Sequence, residues 1–168
     1  MPTANQTSDA PLDAINLLIA DHREVKALFR AYDQLVQTDG DDDEKQELAL
    51  QICTMLTVHA TVEEELFYPA AREVLGEDED LVDEAEVEHA SALDLIEQIE
   101  QSSPGDDSLF DAKVKVLGEY IDHHVKEEEG EMFPKVRKSD LDIDSLGEEM
   151  AERKEELLAE LEDETEEA

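Results

Sequence analysis

Four segments of the chain carry apolar residues at spacings of three and four, and each of these stripes is broken near its middle by one histidine. The spacing puts each stripe on one face of a helix. The first stripe is Leu12, Ile15, Leu18, His22, Val25 and Phe29, predicted to lie on a helix from Pro11 to about Gln37 that stops at Thr38-Asp39-Gly40. The second helix starts in the acidic run Asp41 to Glu44, which suits a helix N-terminus. Its inner face is Ile52, Leu56, His59, Glu63 and Leu66 or Phe67, and Pro69 is expected to interrupt it, with a short piece continuing to Leu75 before Gly76. The third spans roughly Asp80 to Gln101, with Val82, Ala85, His89, Ala92, Ile96 and Ile99 inward, and ends at Ser102-Ser103-Pro104-Gly105. The fourth runs from about Ser108 to Phe133, with Phe110, Val114, Leu117, Ile121, His124, Glu128 and Met132 inward, and meets Pro134.

A last helix is expected near Ser145, where Ser145 and Glu148 make a capping-box pattern, and it carries Met150, Leu157, Leu158 and Leu161. No segment alternates as a strand would. The expectation is an all-α chain: an antiparallel up-down-up-down four-helix bundle with an additional C-terminal helix. Residues 1–10 read as a disordered lead-in, 11–161 as one helical domain, and 162–168 as an acidic tail that frays.

The chain has 168 residues, enough to bury one core, and carries 49 acidic against 13 basic residues, a net charge of −36. Phosphate binding needs clustered Lys and Arg, so this balance argues against nucleic acid and anionic membrane surfaces as partners. The acidic residues are spread through every segment. They read as a solvated surface of the kind that abundant counterions screen, which points to a halophilic, salt-rich setting. Met1 to Ala10 is polar and no apolar run nears the ~18 residues of a membrane span, so a cytoplasmic protein is expected. The single cysteine, Cys53, excludes an intrachain disulfide and a cysteine-based zinc site, and reads as a small core residue.

One histidine on an apolar face is ordinarily a satisfied core residue. Four of them, one at the middle of each antiparallel helix, converge on one level of the bundle. Glu63 and Glu128 each follow a histidine by four residues and therefore share its inward face. An inward carboxylate is expensive unless it is paired or bound to metal, and these stripes carry no Lys or Arg. A cation accounts for both carboxylates. The arrangement is also repeated: His59 to Pro69 and His124 to Pro134 are both ten-residue steps, offset by 65, and Asp21-His22 matches Glu88-His89 at an offset of 67. One metal-binding helical hairpin used twice makes a single binuclear site.

The pattern Asp21-His22, His59-x-x-x-Glu63-Glu64 with Phe67-Tyr68-Pro69, Glu88-His89, and His124-x-x-x-Glu128-Glu129 with Phe133-Pro134 resembles the hemerythrin-like HHE cation-binding domain family, over roughly Leu12 to Leu161. The resemblance implies a non-heme di-iron centre. His22, His59, His89 and His124 would be terminal nitrogen ligands, and Glu63 and Glu128 would bridge the irons. Di-iron bundles of the ferritin type instead use Glu-x-x-His, the reverse order.

The mixed imidazole and carboxylate set suits iron, and also zinc or manganese. Two octahedral ions offer about 12 positions; four nitrogens, two bridging carboxylates and an oxo or hydroxo bridge take roughly ten, leaving about two for a small ligand. The family's oxygen carriers hold a further histidine one turn along the third helix, where this chain has Leu93. That departure favours redox turnover over reversible carriage. The expected ligand is dioxygen, peroxide or nitric oxide, with catalase-like turnover as one outcome. The alternative is an iron- or oxygen-sensing or storage module without turnover. His123, Glu64, Glu127 and Glu129 are candidates to complete the coordination. His123 lies about 100° around its helix from His124 and is expected at the surface or behind a ligand, and Glu64 and Glu129 in solvent or behind ligand histidines. Tyr68, Phe133 and Tyr120 read as packing residues, with a phenol that hydrogen-bonds a bound ligand as the alternative.

Overall fold

The computed structural model describes residues 12–167, and every regular element among them is helical. The expected lead-in at 1–10 and the helix start at Pro11 lie outside the described residues. Helix α1 (Ala14–Gln37) opens on Asp13, whose carboxylate accepts the Asn16 N–H at 2.7 Å. Helix α2 (Asp42–Val62) is capped by Asp41, and its first turn holds Asp42, Asp43 and Glu44, where the helix dipole favours negative charge. After α3 (Tyr68–Leu75) come α4 (Asp80–Glu100), α5 (Phe110–Glu127), the short α6 (Phe133–Arg137) and α7 (Ile143–Glu167).

Helices α1, α2, α4 and α5 pack in a ring, and α7 lies against α1 and α2. This is the expected antiparallel bundle with its extra helix. The third and fourth stripes are buried throughout, whereas Leu12 at the head of the first is exposed. Of the alternatives Leu66 and Phe67, it is Phe67 that is fully buried.

Two expectations need correction. The second and fourth long helices are not broken at their prolines. Each instead widens into one π-helical turn ahead of the proline, at Glu63–Phe67 and Glu128–Met132, and then resumes. The Tyr68 N–H reaches back to the Glu63 carbonyl and the Phe133 N–H to the Glu128 carbonyl, so the wide turns absorb the donors that Pro69 and Pro134 lack without ending the helix. The last helix starts near Ser145 as expected, at Ile143, but its cap differs. The Asp142 carboxylate accepts the Ser145 N–H at 3.1 Å and takes the capping role that the Ser145–Glu148 pattern predicted.

The apolar interior is divided. One cluster, around Ile15, Leu18, Phe67, Tyr68, Phe133 and Met150, fills the end that carries α3, α6 and the start of α7. The other, around Val25, Ile52, Cys53, Ile96, Phe110 and Leu117, fills the opposite end. Between them lies a layer of buried polar side chains.

Candidate metal centre

That layer is built by the repeat. Each half supplies two histidines and one glutamate, and the i, i+4 spacing lays each glutamate beside the histidine of its own helix. His59 Nε2 is 2.7 Å from Glu63 Oε1, and His124 Nε2 is 3.1 Å from Glu128 Oε1. Each glutamate also reaches the other half: Glu63 Oε1 lies 3.5 Å from His89 Nε2, and Glu128 Oε1 lies 3.4 Å from His22 Nε2. The ligand-type atoms fall into two groups, one of His22, His59 and Glu128 and one of Glu63, His89 and His124. All six side chains are buried, Glu63 at 0% and Glu128 at 1% exposure. The structure thus brings together the six residues that the sequence singled out.

The far ring nitrogens are held by carboxylates. Asp21 Oδ2 is 2.9 Å from His59 Nδ1, Glu88 Oε1 is 3.1 Å from His124 Nδ1, and Glu64 Oε1 is 3.3 Å from His89 Nδ1. Glu129 stands behind His22 Nδ1 at 3.9 Å, beyond hydrogen-bond reach. The three carboxylates in reach orient the rings of His59, His124 and His89 and turn their Nε2 atoms toward the two glutamates. Of the two expected in solvent or behind ligand histidines, Glu64 backs His89, whereas Glu129 stays part-exposed and out of reach of His22. The roles of Asp21 and Glu88 were not legible, since each serves a histidine on the next helix. His123 is 67% exposed and contacts Glu127 and the outer oxygen of Glu88, so neither His123 nor Glu127 joins the six.

Electrostatically the layer is short of positive charge. Burial works against protonation of His59, but Glu63 and Asp21 outweigh it and hold this imidazole up to about 10. Burial is likewise overcome at His124, where Glu128 and Glu88 raise it to about 11. Burial disfavours the charge on Glu63 too, yet His59 beside it keeps that carboxyl well below its ordinary value.

Even so, both nitrogens of His22, Nε2 of His59, both oxygens of Glu63 and Oε1 of Glu128 have no hydrogen-bond partner. Their close contacts are misaligned for hydrogen bonding. The Nε2 atoms of His89 and His124 are 3.1 Å apart. Two nitrogens in adjacent positions on one ion, each at ~2.1 Å, are separated by about 3 Å. The orphaned buried atoms and this spacing fit a pair of cations.

The two halves are not identical. Tyr68 places its hydroxyl 3.0 Å from Glu128 Oε2, 3.1 Å from His89 Nε2 and 3.4 Å from His124 Nε2. The matching residue, Phe133, stacks on His22 with ring centroids 6.0 Å apart. Tyr68 therefore packs in the core and presents a phenol to one half of the centre, whereas Tyr120 is exposed. Across the histidines from Tyr68 lies a cavity of about 30 Å³, walled by Leu56, Ala92, Leu93, Ile121 and Val125 and floored by the four imidazoles. Leu93 faces this space, where the resemblance implies that oxygen carriers hold their extra histidine.

A four-helix bundle with four inward histidines and two shared glutamates defines a cation-binding class. The profile of the hemerythrin HHE cation-binding domain matches residues 13–136, and the chain belongs to that family. A curated relative, described as a DNA nickase from a Nostoc species, is 34% identical over 117 residues, which is 70% of this chain and 31% of that protein. The chain thus spans about a third of the length of that relative. A crystal structure of an HHE cation-binding domain-containing protein from Mycobacterium kansasii shares the fold, with a TM-score of 0.70, 23% identity and 87% of each chain covered.

Proposed function

We propose that this chain is a non-heme di-iron protein that binds or consumes dioxygen, peroxide or nitric oxide. The observation that carries this reading is the pair of fully buried glutamates, each in contact with one histidine of each half and with several oxygens left without hydrogen bonds. In this reading His22 and His59 would hold one ion and His89 and His124 the other, with Glu63 and Glu128 supplying carboxylate oxygens to both. The iron pair supplies reversible redox chemistry toward small oxygen or nitrogen ligands when bound. The protein's own part is to orient and to exclude. Asp21, Glu88 and Glu64 orient the rings, and the apolar cavity of about 30 Å³ has room for a small ligand beside them. The Tyr68 hydroxyl donates to Glu128 Oε2 and lies 3.1 Å from His89 Nε2, where it can turn its hydrogen bond toward a ligand at its half.

A second reading, sensing or storage without turnover, is favoured by one observation: α7, which lies outside the matched span, reaches Asp21 through Lys154. We place nucleic acid and membranes outside its partners. The net charge of −36 opposes phosphate binding, and among the described residues no helix is long and apolar enough to cross a membrane. The nickase activity named for the Nostoc protein is accordingly not carried over.

The test is metal content after purification in high salt, with the optical spectrum before reduction, after it and on return to air. About two irons per chain, with a near-ultraviolet charge-transfer band that bleaches reversibly, is the expected result. No metal after iron loading, or zinc alone, overturns it. Dioxygen evolution from peroxide then separates turnover from sensing.

A further inference from the structure

The two halves of the centre match in their inner residues but differ in what stands behind them. Asp21 is 5% exposed and is shared: Oδ2 meets His59 Nδ1 at 2.9 Å, and Oδ1 meets the Lys154 ammonium at 2.6 Å. Lys154 comes from α7, 133 residues along the chain. Its neighbour Arg153 forks onto Glu65 at 2.8 and 3.3 Å, so α7 also grips the wide turn that carries Glu63. In the other half the equivalent carboxylate, Glu88, offers its outer oxygen to the exposed His123 at 3.5 Å, and among the described residues no lysine or arginine pairs with it.

We propose that Lys154 is a positioning residue: acting through Asp21 it fixes His59, and it ties occupancy of the His22–His59 half to the docking of α7. The inference rests on the metal reading above. When His59 Nε2 is committed to an ion, its Nδ1 must carry the proton and point at Asp21. Asp21 then has one oxygen left, and its direction is set toward Lys154. Without the ion Nε2 of His59 has only the misaligned Glu63 oxygen at 2.7 Å, and the three-membered chain loses the fixed inner end that an ion would give it. The link works in both directions: if the ion favours the docked α7, then Lys154 favours the ion by the same factor. The His89–His124 half has no such tie.

The experiment uses the full chain, Zn²⁺ titration by calorimetry, and amide hydrogen exchange along α7. In the unaltered protein two ions bind, and their binding slows exchange in α7. Lys154→Met is expected to weaken one of the two ions about tenfold, to leave the other unchanged, and to abolish the slowing in α7, with Lys154→Arg restoring both. In an Asp21→Asn background Lys154→Met should add no further loss, because the path runs through that carboxylate. Two unchanged affinities in Lys154→Met, or full additivity with Asp21→Asn, overturns the proposal while leaving the metal reading intact. Failure of the unaltered protein to bind any Zn²⁺ overturns the metal reading and this proposal with it.

Discussion

His59 and His124 set the acid–base behaviour of the centre. In the metal-free protein burial opposes their protonation, but the neighbouring carboxylates hold them up to about 10 and about 11. An unfolded histidine titrates near ~6.5. The stabilisation from the His59–Glu63 and His124–Glu128 pairs is therefore complete below about 6.5, declines as pH rises, and is gone once pH passes through 10 to 11. Metal affinity runs the other way, since the ion competes with protons for the same nitrogens. Near pH 7.5 metal binding should release about two protons per chain, readable as acidification of a weakly buffered solution during Zn²⁺ addition. No release would show that these imidazoles are already neutral. The six inward residues were legible because i, i+4 spacing places a histidine and a glutamate on one face whatever the tertiary context. Asp21 serves His59 across 38 positions and Tyr68 serves Glu128 across 60, and no local spacing encodes such contacts.

At the scale of the elements, the wide turns at Glu63–Phe67 and Glu128–Met132 coincide with the two glutamates that span the halves. A π turn shifts the register of everything after it. This lets Glu63 follow the α-helical face of His59 while Phe67 and Tyr68 still point inward. The sequence marks these places only by the prolines that follow, which is why a break was expected where the backbone continues. The start of α7 offers a sharper test. A side-chain carbon on Gly147 would lie 2.5 Å from the Leu12 carbonyl oxygen and 2.7 Å from the Ala14 nitrogen. Alanine normally stabilises a helix interior relative to glycine. Here the obstacle is the backbone of residues 12–14, so the sign reverses. Gly147→Ala should cost about 2 kcal/mol and lower the melting temperature by about 5 °C, measured by circular dichroism. An increase would mean that α7 and α1 part easily at this end.

Across the whole molecule the charge is lopsided, with 49 acidic and 13 basic residues on a helical body whose interior is otherwise conventional. Self-repulsion on that scale weakens the folded state until counterions screen it. The melting temperature should rise by about 10 °C or more between about 0.1 and about 2 M KCl, and a flat curve would refute the reading of this surface as adapted to salt. The fold class was legible at this scale because four long stripes leave few alternatives to a bundle. The place of α7 was not, because among its described residues few apolar side chains, chiefly Leu146 and Met150, are buried, and charged pairs to distant residues add to its anchoring.

The polar layer has its own consequence. It divides the hydrophobic interior into two separate bodies, one around Phe67 and Phe133 and one around Ile52 and Leu117. Each can hold its own end of the helices together, and a cation held by the six side chains between them would make the two melt as one. Stripped by a chelator, the protein should lose that single cooperative transition. Its calorimetric trace should broaden or split, so that the enthalpy measured directly exceeds the enthalpy inferred from the slope of the melt.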